Sequence, residues 1–206
     1  MFSGIIETLG TIEHVVPEGS NIRLVVASPL SASLYVDQSV AHDGVCLTIV
    51  SVGDGRYEVV AIQETLNKTT LGSWSEGYRV NLERAIKSSS LLDGHVVQGH
   101  VDTTVRCTSV NILDGSRVLG FAYSPDASSG LLAVSKGSVT INGISLTISK
   151  AESEYFEVSI IPHTLQLTNI SAIEVGSFVN IEFDIMGKYL ARMIKPYLDN
   201  LSSFSK

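Results

Sequence analysis

Short apolar runs alternate with polar positions through the first half of the chain. Residues 2–15 alternate weakly and are rich in isoleucine, threonine and valine, and turns such as Gly53-Asp54-Gly55 separate the runs that follow. Short alternating strands divided by Gly, Asp and Ser turns are typical of a small antiparallel barrel. The predicted strands cover residues 2–15, 20–27, 39–50, 57–62 and 79–83, with short helical turns at 29–34 and 64–68.

The hydrophobic period changes at the end of the chain. After Asp184, apolar residues recur at helical spacing and predict one apolar helix face. Pro196 falls inside this pattern and should kink or break the helix. The face either packs on the rest of the chain or holds subunits together, and the sequence leaves both interpretations open. Its members are Tyr189, Leu190, Met193, Ile194, Tyr197, Leu198 and Leu201.

One strand pattern occurs twice. Gly44-Val45-Cys46-Leu47-Thr48-Ile49 returns as Gly143-Ile144-Ser145-Leu146-Thr147-Ile148, at an offset of 99 residues. The offset then holds without a gap and gives 14 identities over the 40 positions 44–83. A repeat of this length indicates a duplicated domain. The copies differ where chemistry is expected, with Cys46 against Ser145, Asp37 against Lys136, Glu64 against His163, and Ala85 against Asp184.

The duplication predicts two domains and a terminal helix. We expect an N-terminal domain over residues 1–93, with a serine-rich linker at about 86–94, and a C-terminal domain over 94–185. Residues 186–206 form the helix, for which we expect a role in trimerisation. Gly99-His100-Val101 corresponds to Gly4-Ile5-Ile6 at an offset of only 95. The four additional residues should therefore lie around 111–116 or 125–130.

Composition excludes several classes of protein. Hydrophobic residues make up 44% of the 206 positions, which is enough for real cores, and the net charge of −7 argues against nucleic acid or an anionic membrane as partner. Two cysteines, Cys46 and Cys107, exclude a disulfide framework and fit a reducing compartment. No apolar run is long enough to span a membrane, and the start of the chain does not resemble a signal peptide. We expect a cytoplasmic protein.

The candidate chemistry centres on a few polar residues. By composition, Cys46 is interpreted first as a buried core thiol, but Ser145 at the equivalent position weakens this interpretation and leaves a ligand contact or a nucleophile open at both. Thr48 and Thr147, two residues further on, face the same side of their strands. His100 suits acid–base work near neutral pH. A metal site built from His95, His100 and Asp102 fits the spacing poorly, and His95 alone is interpreted as structural.

Two further residues have simpler interpretations. By position, Asp184 is a helix N-cap. Lys136, near a strand start, is expected to be solvated. The residues alone therefore predict a duplicated barrel with two polar patches of different chemistry, and they do not reach a reaction.

Taken together, these motifs resemble the riboflavin synthase family, whose members contain two lumazine-binding domains. The resemblance covers nearly the whole chain, with several motifs in the right order. The motifs are Met1-Phe2-Ser3-Gly4-Ile5-Ile6-Glu7, Gly44-Val45-Cys46-Leu47-Thr48, Asn81-Leu82-Glu83-Arg84-Ala85, Gly94-His95-Val96-Val97-Gln98-Gly99-His100-Val101-Asp102, Lys136-Gly137 and Asn142-Gly143-Ile144-Ser145-Leu146-Thr147.

The resemblance implies a mainly β fold of tandem six-stranded antiparallel Greek-key barrels with a C-terminal α-helix, assembled as a homotrimer. It implies dismutation of two molecules of 6,7-dimethyl-8-ribityllumazine to riboflavin and 5-amino-6-(D-ribitylamino)uracil, the last step of riboflavin biosynthesis. No cofactor and no metal is expected, and lumazine synthase is a possible partner. Two related sites explain the duplication, because a reaction between two copies of one substrate must hold both in register.

The resemblance also implies the site residues. We expect catalytic roles for Cys46, His100, Ser39, Ser145, Lys136 and Asp184. The N-terminal site should be lined by Gly4, Ile5, Ile6, Cys46, Leu47, Thr48, Val60, Ala61, Ile62, Gln63, Glu64 and Thr65. The C-terminal site should be lined by Gly99, His100, Val101, Lys136, Ser145, Leu146, Thr147, Ser159, Ile160, Ile161, Pro162, His163 and Thr164.

Three alternatives compete with this hypothesis. A non-catalytic lumazine- or flavin-binding protein of the same fold would bind one ligand per chain and should lose polar residues from one site. The flavin-binding barrel of a reductase would need an Arg-x-Tyr-Ser type motif and a nucleotide domain, and the sequence contains neither. A purely structural pair of barrels is the third. The polar residues present in both copies favour the enzyme.

Overall fold

Two closed antiparallel barrels of six strands each make up most of the molecule. A computed structural model describes the backbone of residues 1–203 and the side chains of residues 1–197. The first barrel has the strand order β1-β2-β5-β4-β3-β6, and the second repeats the same pairing. The strands of the first barrel are β1 Thr8–Glu18, β2 Asn21–Ala27, β3 Ser39–His42, β4 Val45–Gly53, β5 Arg56–Ala61 and β6 Arg79–Arg84. The predicted fold of tandem six-stranded barrels is confirmed.

The second barrel uses equivalent segments of the second repeat. Its strands are β7 Thr103–Leu113, β8 Ser116–Ala122, β9 Ser138–Ile141, β10 Ile144–Ala151, β11 Tyr155–Ile160 and β12 Phe178–Phe183. Short helices α1 (Gln63–Lys68) and α2 (Pro162–Leu167) follow the fifth strand of each barrel, and each precedes a short 3₁₀ helix. Each barrel encloses its own apolar core, with Tyr57 central in one and Phe121 stacked on Phe156 in the other.

Two of the predicted strands need correction. The first strand begins at Thr8 and not at residue 2, because residues 1–7 leave the barrel. The predicted strand 39–50 is a hairpin of β3 and β4, because Asp43 and Gly44 both have positive φ, 45° and 80°. A two-residue Asp-Gly turn favours this conformation. Each short strand can then pair with a different neighbour and close the barrel.

The four additional residues of the second repeat lie in one connection. The offset is still 95 at β8 and becomes 99 at β9, so the insertion lies between Ala122 and Ser138. The prediction of 125–130 falls in this connection, and the alternative at 111–116 is wrong. Where the first repeat has a 3₁₀ helix at Pro29–Ser33, the second has an irregular loop with a bridge between Asp126 and Leu131.

Reciprocal side-chain contacts join the barrels. Asn81 Nδ2 donates to the carbonyl oxygen of Asn142 over 3.0 Å, and the equivalent Asn180 Nδ2 donates to the carbonyl oxygen of Asp43 over 2.9 Å. Asn169 lies between them and donates to the Asp43 carboxylate over 2.9 Å. The two hairpin turns therefore meet around an approximate two-fold relationship, and the interface is fully hydrogen-bonded at this point.

The C-terminal helix α3 spans Ile185–Ser203 and continues through Pro196. An ion pair between Lys188 and Asp102, 2.7 Å apart, ties its first turn to the second barrel. Tyr189, Leu190, Met193, Ile194 and Tyr197 are all exposed, so the described part of the apolar face lies largely in solvent. Leu198 and Leu201, also predicted for this face, lie outside the described side chains.

Candidate active site

A cavity of about 200 Å³ opens beside Cys46 on the outside of the first barrel. We call it the first site. In strand β4, Leu47 is buried in the core, whereas Cys46 is half-buried and Thr48 is exposed. The interpretation of Cys46 as a core thiol is therefore wrong, and the shared side of Cys46 and Thr48 follows from the alternation of the strand. The cavity is lined by Val45, Cys46, Glu64, Thr65, Lys68, Thr69, Gly99, His100 and Val101.

The first site takes part of its wall from the second repeat. We call residues 2–7 and 97–102, which precede β1 and β7, the first and second lead-in segments. The N–H of Cys46 donates to the carbonyl oxygen of Gly99 over 2.8 Å. Gly99, His100 and Val101 therefore line the site of the first barrel, and assigning them to the C-terminal site was wrong.

The second barrel shows the equivalent arrangement at Ser145. The N–H of Ser145 donates to the carbonyl oxygen of Gly4 over 2.8 Å. The first lead-in segment, with Gly4, Ile5 and Ile6, therefore runs past the second barrel, and its assignment to the N-terminal site was also wrong. We call the region around Ser145 the second site. The two repeats exchange their lead-in segments, so neither site is built from one repeat alone.

Glycine is required at both points of contact. Gly4 and Gly99 each have φ of +77°, a conformation that other residues adopt only with strain. A Cβ atom at Gly99 would lie 2.7 Å from the Cβ of Cys46, and one at Gly4 would lie 2.6 Å from the Cβ of Ser145. Any side chain at either position would push the segment away from its site.

The second site contains a histidine contact that the sequence analysis missed. His95 Nδ1 lies 2.8 Å from Ser145 Oγ, although His95 was interpreted as structural. Burial lowers the pKa of His95, and the nearby Asp184 carboxylate opposes this shift. The hydrogen bond between the imidazole and the hydroxyl can run in either direction, depending on the tautomer of His95. Among the described residues, Cys46 has no hydrogen bond of this kind, because His95 has no counterpart in the first repeat at the offset of 95.

Helices α1 and α2 carry equivalent residues, and those of α1 lie beside the first site. Glu64 and Thr65 lie in the first turn of α1 and line the cavity of the first site. His163 and Thr164 occupy the same turn of α2. Glu64 forms an ion pair with Lys68 over 2.9 Å on the exposed surface. The equivalent positions of α1 and α2 therefore carry side chains of different chemistry, a carboxylate in one repeat and an imidazole in the other.

The other predicted catalytic residues, Ser39, Asp184 and Lys136, do not all lie close to Cys46 or Ser145. Ser39 pairs directly with Thr48 across the β3–β4 hairpin, so both lie on the face that carries Cys46. Asp184 accepts the N–H of Met186 over 3.0 Å at the start of α3, which is a capping contact. Lys136 is exposed with φ of 67°, and it precedes Gly137 in a loop that borders Asp184. The structure does not bring Lys136 into contact with Ser145.

Among the described residues, no group of three or more His, Cys, Asp or Glu side chains is close enough to hold a metal ion. Asp102, a member of the weak metal hypothesis, is bound instead to Lys188 over 2.7 Å and to the N–H of Phe183 over 2.9 Å. Within the part of the chain that the structure describes, no helix has the length and hydropathy that crossing a membrane requires.

Comparisons with known proteins agree with the duplicated fold. A family model described as the lumazine binding domain matches the chain twice, over residues 3–85 and 98–184. Riboflavin synthase of Mycobacterium tuberculosis strain H37Rv is 40% identical over 204 residues, which cover 95% of this chain and 98% of the relative. Riboflavin synthase of Bacillus amyloliquefaciens is 38% identical over 195 residues, 94% of this chain and 90% of the relative.

The chain belongs to the riboflavin synthase family. The resemblance seen in the sequence is confirmed, and the chain is an enzyme of the transferase class. The fold is also that of LumP, whose crystal structure with 6,7-dimethyl-8-(1′-D-ribityl)lumazine matches with a TM-score of 0.79 at 22% identity, covering 88% of this chain and 98% of LumP. At this identity the likeness to LumP concerns the fold alone.

The two matches of the family model show that two lumazine-binding domains occur in one chain. The family does not by itself say which side chains touch a ligand. That question depends on the geometry of the two sites described above.

Proposed function

We propose that the chain converts two molecules of 6,7-dimethyl-8-ribityllumazine into riboflavin and 5-amino-6-(D-ribitylamino)uracil. One lumazine gives a four-carbon unit to the other. The two substrates together contain the same atoms as the two products, so the reaction needs no oxidant or reductant. The proposal is carried by one observation: a single chain contains two sites of common origin, and they differ at Cys46 and Ser145.

Two related sites suit a reaction between two copies of one molecule. Both must recognise the same pteridine, and each must treat its ligand differently, as donor or as acceptor of the four-carbon unit. Conserved backbone geometry at Gly4 and Gly99, with different side chains around it, meets both needs. Holding the two rings together removes most of the entropic cost of their encounter.

We assign the chemistry of the first site to Cys46, His100 and Ser39. His100 lines the cavity, and its imidazole can take a proton from the C7 methyl group of a lumazine or return one. Cys46 or Ser39 would assist addition at C7. In the second site, the His95–Ser145 pair would orient the other ring, with Lys136 and Asp184 toward its ribityl chain. Backbone groups of β4 and β5, and of β10 and β11, would bind the pyrimidine edges.

The exposed face of α3 supports assembly as a homotrimer. Its aromatic and aliphatic side chains form an apolar stripe that the described part of the chain leaves in solvent. Apolar stripes of this kind mark interaction surfaces. We propose that the productive pair of sites forms between the first barrel of one subunit and the second barrel of its neighbour. A cytoplasmic location and association with lumazine synthase remain predictions from the sequence.

The direct test incubates the purified chain with 6,7-dimethyl-8-ribityllumazine alone. We expect one riboflavin, detected by absorbance and fluorescence, for every two lumazines consumed. The variants Cys46→Ser, His100→Ala and Lys136→Ala test the assignments. Activity within twofold of the unmodified chain in all three would remove them. Absence of riboflavin, with one ligand bound per chain, would replace the enzyme with a binding protein.

A further inference from the structure

Two buried glutamates hold the lead-in segments, and neither belongs to the catalytic residues proposed above. Glu83 lies in β6 and Glu182 at the equivalent place in β12, and their side chains are only 4% and 2% exposed. Neither forms an ion pair with any side chain that the structure describes. A buried carboxylate without a cation is costly unless hydrogen bonds compensate for its lost hydration. The compensation here comes mainly from backbone N–H groups, together with the Ser3 hydroxyl at Glu83 and the charge of Lys188 near Glu182.

Glu182 binds the second lead-in segment through three such groups. Its Oε1 accepts the N–H of Gln98 over 2.7 Å, and its Oε2 accepts the N–H groups of Gly99 and His100 over 3.0 and 2.9 Å. Gly99 then accepts the N–H of Cys46 with its carbonyl oxygen. A continuous path of hydrogen bonds therefore runs from Glu182, in the second barrel, to the first site.

Glu83 repeats the arrangement for the first lead-in segment. It accepts the N–H and Oγ–H of Ser3 over 2.6 and 2.7 Å and the N–H of Gly4 over 3.0 Å. Gly4 accepts the N–H of Ser145, and the carbonyl oxygen of Ser3 accepts the N–H of His95 over 3.2 Å. Glu83, in the first barrel, thus fixes both members of the His95–Ser145 pair in the second site.

We propose that Glu83 and Glu182 are positioning residues that act crosswise, each holding the segment that completes the site of the opposite barrel. Glu182 therefore shapes the Cys46 site, and Glu83 shapes the Ser145 site. Burial raises the pKa of both carboxyls, and the N–H donors oppose that shift. Three donors converge on two oxygens in each case, and a glutamine cannot satisfy them, because its amide nitrogen would face an N–H. The inference rests on the proposed function, in which both sites bind lumazine.

The test measures each site separately in the full-length chain. Cys107 is completely buried, so a thiol reagent reports on Cys46 in the first site. The double variant Cys46→Ser with Ser145→Cys moves the same reporter to the second site. Protection of each thiol by a lumazine analogue that lacks the reactive C7 methyl group, which the chain cannot turn over, gives an apparent affinity per site. Glu18→Gln is the matched control, because Glu18, at the end of β1, is a partly exposed carboxylate whose ion pair with Arg23 involves neither lead-in segment.

We expect Glu182→Gln to weaken protection at position 46 at least tenfold and to leave position 145 within twofold, and Glu83→Gln to do the reverse. Equal weakening of both sites by each variant would reduce the glutamates to a general structural role and overturn the inference. Weakening of the site in the same barrel would overturn it too. If a glutamine variant does not fold, the aspartate variant, whose carboxylate is one methylene short, must show the same crossed pattern.

The reporters also separate this inference from the proposed function. If the lumazine analogue protects neither thiol in the chain with both glutamates intact, the sites do not bind it and the proposed function fails. If protection is normal there and the glutamate variants show no crossed pattern, only the positioning role fails.

Discussion

Cys46 and Gly99 belong to different repeats, yet the N–H of Cys46 donates to the carbonyl oxygen of Gly99 over 2.8 Å. The equivalent pair, Ser145 and Gly4, has the same bond at the same length. Each barrel therefore depends on the other repeat for the wall of its site. An isolated barrel would lack that wall, which gives a physical reason for keeping both domains on one chain.

The close approach at Gly99 should not tolerate a side chain. We expect Gly99→Ala to lower the rate of riboflavin formation at least tenfold, because its Cβ would lie 2.7 Å from the Cβ of Cys46 and 2.8 Å from the ring of Phe2. Gly19→Ala is the matched control, since Gly19 has φ of +63° with no neighbouring atom within 4 Å. The control should lose about 1 kcal/mol of stability through backbone strain and keep its activity. Equal activities in steady-state assays would contradict this account of the glycine.

Asp43 should make the stability of the protein depend on pH. Burial raises the pKa of Asp43 from its ordinary 3.8 to about 7, against hydrogen bonds from Tyr78, Asn81 and Asn169. Because the folded state holds this proton more tightly, the stability it confers is complete at low pH and falls as pH rises toward 7. The second repeat has Asn142 at this position, so Asp43→Asn is a conservative change.

We therefore expect the unfolding free energy of the unmodified chain to decrease relative to that of Asp43→Asn as the pH is raised from 4 to 7. The decrease should be up to about 1.4 kcal/mol per pH unit. The comparison with Asp43→Asn is needed because His42 changes the unfolding free energy with pH in the opposite direction, and both chains contain His42. Burial lowers the pKa of His42 to about 4, so its contribution is lost as pH falls below the ordinary 6.5. Urea unfolding at several pH values measures both chains, and parallel curves would show that Asp43 does not titrate in this range.

The sequence predicts the duplication, the barrels and the terminal helix because these depend on local patterns and on internal similarity. It also contains the signal for the hairpin that was missed, since Asp43-Gly44 and Asn142-Gly143 are two-residue turn sequences. The exchange of lead-in segments has no such local signal. Gly4 reaches Ser145 through the packing of whole barrels, so motif spacing could not assign each segment to its site.

The contact of His95 with Ser145 was hidden for the same reason, because 50 residues separate the two along the chain. Asp184 shows the opposite case. Its interpretation as a helix N-cap needed only its position before α3, and its hydrogen bond to the N–H of Met186 bears this out. Local roles could be predicted from the sequence, and long-range contacts required the fold.

The buried pair of His42 and Tyr57 should be strongly coupled. His42 Nε2 lies 2.7 Å from the Tyr57 hydroxyl inside the first barrel, and the second barrel has Ile141 and Phe156 at these places. Tyr57→Phe should cost about 1–3 kcal/mol of unfolding free energy, because it leaves the imidazole without its partner. Adding His42→Ile should recover part of that loss. Additive effects in a double-mutant cycle of urea unfolding would refute the coupling.

His95 should matter for turnover through the second site. We expect His95→Gln to reduce riboflavin formation about 100-fold, because it removes the imidazole that would orient the second ring through Ser145, and misplacing a reacting group by about 1 Å can cost that much. It should leave ligand protection of the Cys46 thiol within twofold, since His95 contacts Ser145 and not the first cavity. His14→Gln is the control, because His14 is exposed and pairs with Glu76. Full activity of His95→Gln would remove His95 from the site.

The count of ligands per chain tests the central claim most directly. Isothermal titration of the full-length protein with a lumazine analogue that lacks the reactive C7 methyl group avoids turnover during the measurement. If two sites of common origin hold the two reacting rings, the titration must saturate at two molecules per polypeptide, with unequal affinities because Cys46 and Ser145 differ. Saturation at one molecule per polypeptide would contradict the account.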